Sequence, residues 1–385
     1  MGTARSGRQT IVVLGGGIGG VVTANRLRRR LPGRHRVVLV NREPDFSLAA
    51  SYLWVMNGRR RPGQITRPLE GLRRRGIDVV IGTVESIDPA RRTTTVDGIE
   101  LEADHLVVAL GAEQVPDRLP GLVDAGRTFA TLAGAEVLRT ELDAFRGGRV
   151  LVVTAAPLYR CPAAPYEAAF LIEALLRRRG IRSEIAVHAA EPAPMGVAGP
   201  ATSAAVTTLL ADRGIAYQPG HQITGAVPGE ATFADGAVEP FELLVYMPPI
   251  APPPVVTGSG LAGPGGWIEA DRETLETGHP DVYAIGDNVQ VPLSVGKPLP
   301  RAGVFAHGQG TVVADRITAR INGIAPAARF DGHGGCFIEV GDGRAGFGSG
   351  DFFAEPAPSV RVRPPSRLRH LGKVVFEQQV MRRWM

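Results

Sequence analysis

The stretch Gln9–Leu31 predicts a β-strand, a tight turn and a helix in direct succession. Gly15, Gly17 and Gly20 fit the pattern G-x-G-x-x-G and directly follow the apolar run Ile11–Leu14. The first glycine permits the tight turn, the second lets the backbone approach a pyrophosphate, and the third lets the helix pack on the strand. A phosphate would then lie at the helix N-terminus. The stretch therefore predicts a Rossmann-like dinucleotide-binding unit in an α/β chain.

A second strand–turn–helix unit is predicted at Val150–Leu176, but its turn has no glycine-rich loop. Pro157, Pro162 and Pro165 occupy the turn and the helix start, with Cys161 between them. A pyrophosphate needs several convergent backbone N–H groups, and each proline removes one. We therefore do not expect a pyridine nucleotide here. The loop instead offers a thiol at the C-terminal end of a strand, where open α/β sheets bind ligands.

Composition narrows the function classes. The chain of 385 residues is long enough for two or three domains, and its two cysteines exclude a disulfide scaffold or a cysteine-rich metal site. No apolar run reaches the roughly 18 residues of a membrane helix. The strand at Ile11 begins too early to leave room for the apolar region of a secretory signal, and a leader removed by processing stays open as an alternative. The pI of about 9.6 comes from arginines clustered at predicted helix ends, so nucleic acid is not an expected partner. Those clusters are Arg28–Arg30, Arg73–Arg75 and Arg177–Arg179.

Hydrophobic periodicity predicts the remaining elements. Helices are expected at Tyr166–Arg178, Thr202–Arg213 and Val304–Ile321, and a helical tail within Leu371–Met385. The proline-rich run Pro248–Pro254 is expected to be an extended linker without helix. Two hairpin turns are predicted, at Asp97–Gly98 and at Gly341–Asp342–Gly343 between the strands Cys336–Val340 and Arg344–Phe347.

The predicted fold class is α/β, with two Rossmann-like domains, the first of them discontinuous, and a smaller C-terminal module. Strands after the proline-rich linker return to the first domain, because Asp281–Ile285 is a short apolar strand that ends at Gly286–Asp287. The expected limits are residues 1–115 and 256–328 for the first domain, 116–255 for the second, and 329–385 for the C-terminal module.

Four motifs point to a known family. They are GGGIGG near the start, ALGA at Ala109–Ala112, PDVYAIGD at Pro280–Asp287 and YRCPAAPYE at Tyr159–Glu167. Together they resemble the flavoprotein disulfide reductases with two dinucleotide-binding folds. Within that superfamily the chain is similar to sulfide:quinone oxidoreductases and to the flavoprotein subunits of flavocytochrome c sulfide dehydrogenases. YRCPAAPYE and the segment Gly335–Cys336–Phe337 are specific to this branch.

The resemblance implies an FAD cofactor. Relatives linked to cytochromes often tether FAD through a cysteine near the second strand, where this chain has Pro44–Leu48, so non-covalent FAD is expected. No resident metal is implied. The residues implied in cofactor binding are Gly15, Gly17, Gly20, Asn41, Val84, Ala109, Gly111, Gly286, Asp287, Arg301, Ala302 and Gly303.

The resemblance also implies catalytic residues. Cys161 and Cys336 would form a redox disulfide that hydrosulfide attacks, although two inert buried thiols are the alternative. Glu167 would accept a proton near the thiol; otherwise it is a carboxylate that the helix dipole favours. His307 is a second candidate for proton handling. Because the third cysteine that many sulfide:quinone oxidoreductases use is missing, long polysulfide products are less expected.

The electron acceptor is expected to be a quinone, bound near Phe352 and Phe376. The C-terminal segment is either an interfacial membrane contact or a helix packed on the FAD domain. Its aromatic residues are Phe352, Phe353, Phe376 and Trp384, and the flanking cations are Arg367, Arg369, Lys373, Arg382 and Arg383. Three alternatives stay open: a c-type cytochrome as acceptor, an NADH:quinone reductase, and an FAD-bound thiol switch without turnover. The expected location is the cytoplasm, with peripheral contact to the membrane, and the chain could form a homo-oligomer.

Overall fold

The computed structural model describes residues 7–385, so the first six residues of the predicted first domain lie outside it. Six helices of thirteen or more residues occur in this part of the chain. They are α1 (Ile18–Arg30), α2 (Leu132–Ala144), α3 (Ala164–Arg178), α4 (Pro200–Asp212), α5 (Gly303–Ile321) and α6 (Arg367–Arg383).

The first sheet has five parallel strands and contains the predicted dinucleotide unit. Its apolar strands are buried on both faces, as expected where helices cover a parallel sheet. α1 and α5 pack against each other beside it. The strand order is Val282–Ala284, His105–Val108, Thr10–Leu14, Arg36–Asn41 and Asp78–Ile81. The chain thus returns to this sheet after residue 280, as the sequence predicts.

The second sheet also has five parallel strands and belongs to the unit that contains Cys161. α3 packs against its central strands, and α4 packs against its edge strand. The strand order is Gly126–Thr128, Leu243–Met247, Gly148–Thr154, Ser183–Ala189 and Ala216–Pro219. The prediction of two Rossmann-like α/β units is therefore confirmed, whereas the exact domain limits stay a prediction.

The C-terminal module contains one antiparallel sheet, called here the C-terminal sheet. Its strands are His333–Glu339, Ala345–Asp351 and Ser359–Ser366, and α6 packs against it. The strand His333–Glu339 also contacts α3 and α5. This sheet therefore carries Cys336 to the place where the two Rossmann-like units meet.

Short elements connect these layers. The remaining strands are Asp45–Ser47, Thr66–Pro68, Val84–Asp88, Thr93–Val96, Ile99–Glu102, Glu113–Gln114, Ile223–Val227, Glu230–Phe233, Val238–Pro240, Ile250–Ala251, Ile268–Glu269 and Val289–Gln290. The short α-helices are Tyr52–Met56, Pro62–Ile65, Leu122–Ala125 and Pro254–Thr257. Short 3₁₀ helices occur at Ala49–Ser51, Leu69–Arg75, Pro116–Arg118, Gly196–Ala198 and Gly286–Asn288.

Most local predictions are confirmed, and two need correction. Asp97 and Gly98 both have positive φ, 45° and 77°, as a two-residue hairpin turn requires. The proline-rich linker was wrongly predicted to lack helix, because Pro254 begins a helical turn, where its missing N–H costs nothing. The strand Ser359–Ser366 escaped prediction because it contains two prolines, which an edge strand tolerates.

Candidate active site

The two cysteines line one cavity of about 850 Å³ between the two Rossmann-like units and the C-terminal sheet. Most of its wall is apolar, including Phe305 and Phe352, whose rings meet edge to face at 5.0 Å. Arg301 also lines the cavity. The structure therefore brings together Cys161 and Cys336, which lie on separate units of the fold.

Cys161 lies in the turn between the strand Gly148–Thr154 and α3. Its φ of 53° falls in the left-handed region, which residues with a Cβ rarely adopt. Two hydrogen bonds stabilise this backbone: the Cys161 N–H donates to the Arg301 carbonyl at 2.8 Å, and the Ala164 N–H donates to the Cys161 carbonyl at 2.9 Å. The first of these bonds joins the thiol loop to the segment that precedes α5.

The two cysteines are half-buried free thiols that hydrogen-bond to each other. The bond from the Cys336 thiol lowers the pKa of Cys161 against the opposing effect of burial. The same bond, together with burial, raises the pKa of Cys336 well above its usual value. Cys161 is therefore the thiol that ionises first. A thiolate is the reactive form in thiol–disulfide exchange.

Glu167 lies on the first turn of α3 and is almost fully buried. Its Oε1 accepts a 2.8 Å hydrogen bond from the Lys373 ammonium and another of 2.8 Å from the Glu339 backbone N–H. Burial raises the pKa of Glu167, while the Lys373 charge lowers it. Glu167 also interacts electrostatically with both thiols, so a proton acceptor lies within electrostatic reach of the sulfurs.

A chain of charged groups leads from Glu167 toward the surface. The pKa of Lys373 is raised: burial opposes its charge, but Glu167 and Glu339 outweigh burial. The fully buried Glu339 carboxylate contacts His370 Nδ1 at 2.8 and 3.0 Å, and His370 Nε2 lies 3.1 Å from Arg59. The expectation that Lys373 is a flanking cation at the surface is wrong, because its ammonium group is buried against Glu167.

The dinucleotide-binding turn has the geometry that its glycines predict. A Cβ on Gly15 would lie 2.2 Å from the Ala109 carbonyl oxygen, and one on Gly20 would lie 1.8 Å from the Gly15 oxygen. Gly17 faces open space and caps α1, and no side chain within residues 7–385 caps that helix. The N–H groups of the first turn of α1 are therefore available to a phosphate.

Other residues predicted to bind the cofactor lie in the same Rossmann-like unit as this turn. Asn41 Oδ1 accepts a 2.7 Å bond from the Gly16 N–H, and its Nδ2 donates to the Glu43 carbonyl at 2.8 Å, so this side chain braces the turn. The Gly111 N–H donates to Asn288 Oδ1 at 2.9 Å. Asn288 is fully buried and was not predicted. Val84 is half-buried and packs against the core of the first unit.

Arg301 carries a charge that the protein leaves only partly neutralised. Its guanidinium stacks on Trp267 at 3.8 Å, and its Nε donates to the Asp287 carbonyl at 2.9 Å. Burial lowers the pKa of Arg301 to about 10, although Asp287 opposes this shift. Its Nη2 is buried without a hydrogen-bond partner in the described part of the chain. A buried cationic donor without an acceptor fits an anionic or carbonyl-rich ligand.

The segment around Arg301 completes the fit to FAD. Ala302 caps α5 without a side-chain hydrogen bond, so the helix that begins at Gly303 also points free N–H groups outward. The Gly286 N–H donates to Gln309 Oε1 at 2.7 Å, and Asp287 forms a 3.0 Å ion pair with Arg160. Two uncapped helix N-termini and an unpartnered guanidinium suit a diphosphate and the pyrimidine end of a flavin.

Three other candidates lie in different surroundings. Phe352 is buried in the cavity wall with the thiols. Phe376 instead lies on α6 and is 39% exposed, so the predicted pairing of Phe352 and Phe376 in one acceptor site stays a prediction. His307 stacks on Trp384 at 5.2 Å, and burial lowers the pKa of His307. Its role in proton handling also stays a prediction.

Comparison with known proteins identifies relatives of the whole chain. Residues 9–310 match the model of the family described as pyridine nucleotide-disulphide oxidoreductase. The chain is 25% identical over 366 residues to mouse mitochondrial sulfide:quinone oxidoreductase, covering 90% of this chain and 79% of the relative. It is 26% identical over 392 residues to the sulfide-quinone reductase of Aquifex aeolicus, covering 96% and 89%.

The fold agrees with a solved structure. The crystal structure of the Aquifex aeolicus sulfide:quinone oxidoreductase superposes with a TM-score of 0.87 at 24% identity, over 98% of this chain and 91% of that chain. These similarities confirm the predicted resemblance, the oxidoreductase class and the FAD cofactor. Since the family match spans most of its length, the chain belongs to the pyridine nucleotide-disulphide oxidoreductase family.

Proposed function

We propose that this protein oxidises sulfide to sulfane sulfur through Cys161 and Cys336 and passes the electrons through non-covalent FAD to a quinone. The observation that carries the proposal is that both cysteines line one large apolar cavity, with buried Glu167 interacting electrostatically with both sulfurs. The similarity to sulfide:quinone oxidoreductases over most of the chain supports the same reaction.

The chain's own residues perform the sulfur chemistry. In the oxidised form, hydrosulfide bonds to one cysteine sulfur while the Cys161–Cys336 bond breaks, and the other cysteine leaves as a thiolate. The proton of hydrosulfide passes to Glu167. Release of zero-valent sulfur and re-formation of the disulfide yield two electrons. FAD, when bound, supplies the two-electron acceptor that connects this step to the quinone.

Sulfide rather than NADH is the expected electron donor. Pro157 and Pro162 leave the turn before α3 without the N–H groups of a phosphate loop, and Tyr159 and Cys161 line the cavity there. When the oxidised protein is mixed anaerobically with sulfide, the flavin absorbance is expected to bleach and then to recover on addition of a short-chain quinone. NADH at the same concentration is expected to leave it unchanged.

The same experiment separates the alternatives. Bleaching by NADH but not by sulfide would contradict the proposal and favour an NADH:quinone reductase. Bleaching by sulfide without recovery on addition of quinone would favour a c-type cytochrome as acceptor or a thiol switch without turnover. Recovery with a c-type cytochrome alone would distinguish these two.

We also propose that α6 contacts the surface of an anionic membrane. This helix buries Lys373 and Glu377 together with Val380 and Met381, and it leaves four other apolar side chains exposed. No helix within residues 7–385 is both long and apolar enough to span a bilayer. The exposed apolar residues are Leu368, Leu371, Val375 and Phe376, and the flanking cations are Arg367, Arg369, Arg382 and Arg383. This combination fits the interface of an anionic bilayer.

A triple variant tests the membrane contact. Changing Leu368, Leu371 and Phe376 to serine is expected to weaken co-sedimentation with anionic liposomes by about tenfold or more, because each side chain loses apolar burial. Val137→Ser is the matched control, since Val137 is 49% exposed on α2. Equal binding of the triple variant and the control would refute the contact. The cytoplasmic side and any homo-oligomer stay predictions.

A further inference from the structure

We infer that Glu191 is a positioning residue for Cys161 and acts through the hydroxyl groups of Tyr159 and Tyr166. The inference rests on the proposed role of Cys161 as a redox thiol, and it adds a residue that no motif indicated. Glu191 lies just beyond the strand Ser183–Ala189 and lines the same cavity as the thiols.

The Glu191 carboxylate accepts three hydrogen bonds from one structural unit. Its Oε1 accepts from the Tyr159 hydroxyl and, at 2.6 Å, from the Tyr166 hydroxyl. Its Oε2 accepts from the Thr154 hydroxyl at 2.8 Å. Its backbone carbonyl accepts from the Gly220 N–H at 3.0 Å, which fixes Glu191 itself. The three donors lie before, within and after the loop that carries Cys161.

The two phenols are held in the form that can donate. Burial and the Glu191 charge raise the pKa of Tyr159 and of Tyr166 well above the usual value. Both hydroxyls therefore stay protonated throughout the working pH range. Bonds from a neutral donor to a carboxylate are stronger than those between neutral groups, so this cluster is a firm attachment point.

The thiol loop needs such an attachment because the backbone conformation of Cys161 is energetically unfavourable. Cys161 has a φ of 53°, a conformation that persists in a residue with a Cβ only where the surroundings enforce it. On one side the loop is held by the Arg301 carbonyl and by the Arg160–Asp287 ion pair. The Tyr159–Glu191 bond, two residues before Cys161, connects the same loop to the end of the strand Ser183–Ala189.

The position of Glu191 also explains why this unit lacks the acidic side chain that recognises a nucleotide. In a dinucleotide-binding unit an acidic side chain near the end of the second strand binds the ribose hydroxyls. Glu191 follows the second strand of this unit, but both of its oxygens accept bonds from protein hydroxyls instead. The carboxylate that would recognise a nucleotide thus positions the thiol.

The test measures the ionisation of Cys161 in the reduced protein, with FAD bound and without sulfide or quinone. The pH dependence of iodoacetamide alkylation is followed on the Cys161 peptide by mass spectrometry. Tyr159→Phe is expected to raise the apparent pKa of Cys161 by about one pH unit, because a relaxed loop weakens the hydrogen bond from Cys336. Glu191→Leu is expected to raise it at least as much, and Glu191→Gln less, since an amide oxygen still accepts.

Tyr283→Phe is the matched control, because the Tyr283 hydroxyl is also buried, has no hydrogen-bond partner in the described part of the chain and lies in the first sheet. An unchanged alkylation profile in Tyr159→Phe would overturn the inference, as would an equal shift in Tyr283→Phe. Should Glu191→Leu fail to fold, Tyr159→Phe decides alone. Because no sulfide is used, this outcome is independent of whether sulfide is the substrate.

Discussion

Cys161→Ser is expected to slow flavin bleaching by sulfide by at least about 10³-fold, because it removes one sulfur of the disulfide that hydrosulfide attacks. The variant should still bind FAD, since the turn around Gly17 and the Arg301 segment are unchanged. Anaerobic stopped-flow spectroscopy with sulfide in excess measures the effect, and the ratio of flavin to protein reports the bound cofactor. Fast bleaching of the Cys161→Ser variant by sulfide would contradict the disulfide mechanism.

Two substitutions of the partner cysteine show whether the thiol contact sets the reactivity. The chain has only two cysteines, so alkylation of a Cys336 variant reports Cys161 alone. Cys336→Ser retains a hydroxyl donor, and Cys161 should keep a lowered pKa. In Cys336→Ala that donor is lost, and the alkylation midpoint should rise to about 8.5 or above. Identical midpoints in both variants would show that the contact does not stabilise the thiolate.

Much of the fold could be predicted because its strands are buried on both faces. Runs such as Ile11–Leu14 and His105–Val108 are continuously apolar, and Gly15 and Gly20 mark a turn where any Cβ would collide with backbone oxygen. The strand Ser359–Ser366 could not be found in this way. It alternates valine with exposed arginine and ends in two prolines, so neither periodicity nor propensity identifies it.

The candidate site was predicted only where a motif carries its residue. Cys161 and Glu167 share one short segment, whereas Lys373 and His370 reach the site from a helix whose basic residues predict an exposed surface. Periodicity shows which residues share a face of a helix, but not which face is buried. In α6 the buried face includes the charged residues Lys373 and Glu377 beside Val380 and Met381, because Glu167 and the C-terminal sheet lie beneath it. Tertiary contacts alone supply this information.

Lys373→Met is the second variant with a large expected effect. Burial raises the pKa of Glu167, and the Lys373 charge is the strongest influence that lowers it. Without the ammonium group, that pKa should rise further. A larger fraction of Glu167 would then be protonated at neutral pH, and that fraction cannot accept the proton of hydrosulfide. We expect the acidic limb of the pH–rate profile for flavin bleaching to move to higher pH, with about a tenfold loss of rate at pH 7.

Two further variants make this result specific. Glu167→Gln should remove the acidic limb altogether and lower the rate by about 10²–10⁴-fold, because no carboxylate remains to titrate. Arg382→Met removes a positive charge from an exposed position of the same helix, where solvent screens it, and should leave the profile unchanged. If Lys373→Met lowers the rate equally at every pH, Lys373 acts only in packing. If the acidic limb moves to higher pH, Lys373 on the C-terminal helix sets the protonation state of the carboxylate that interacts with the thiols. The surface that we expect to contact the membrane lies on the same helix.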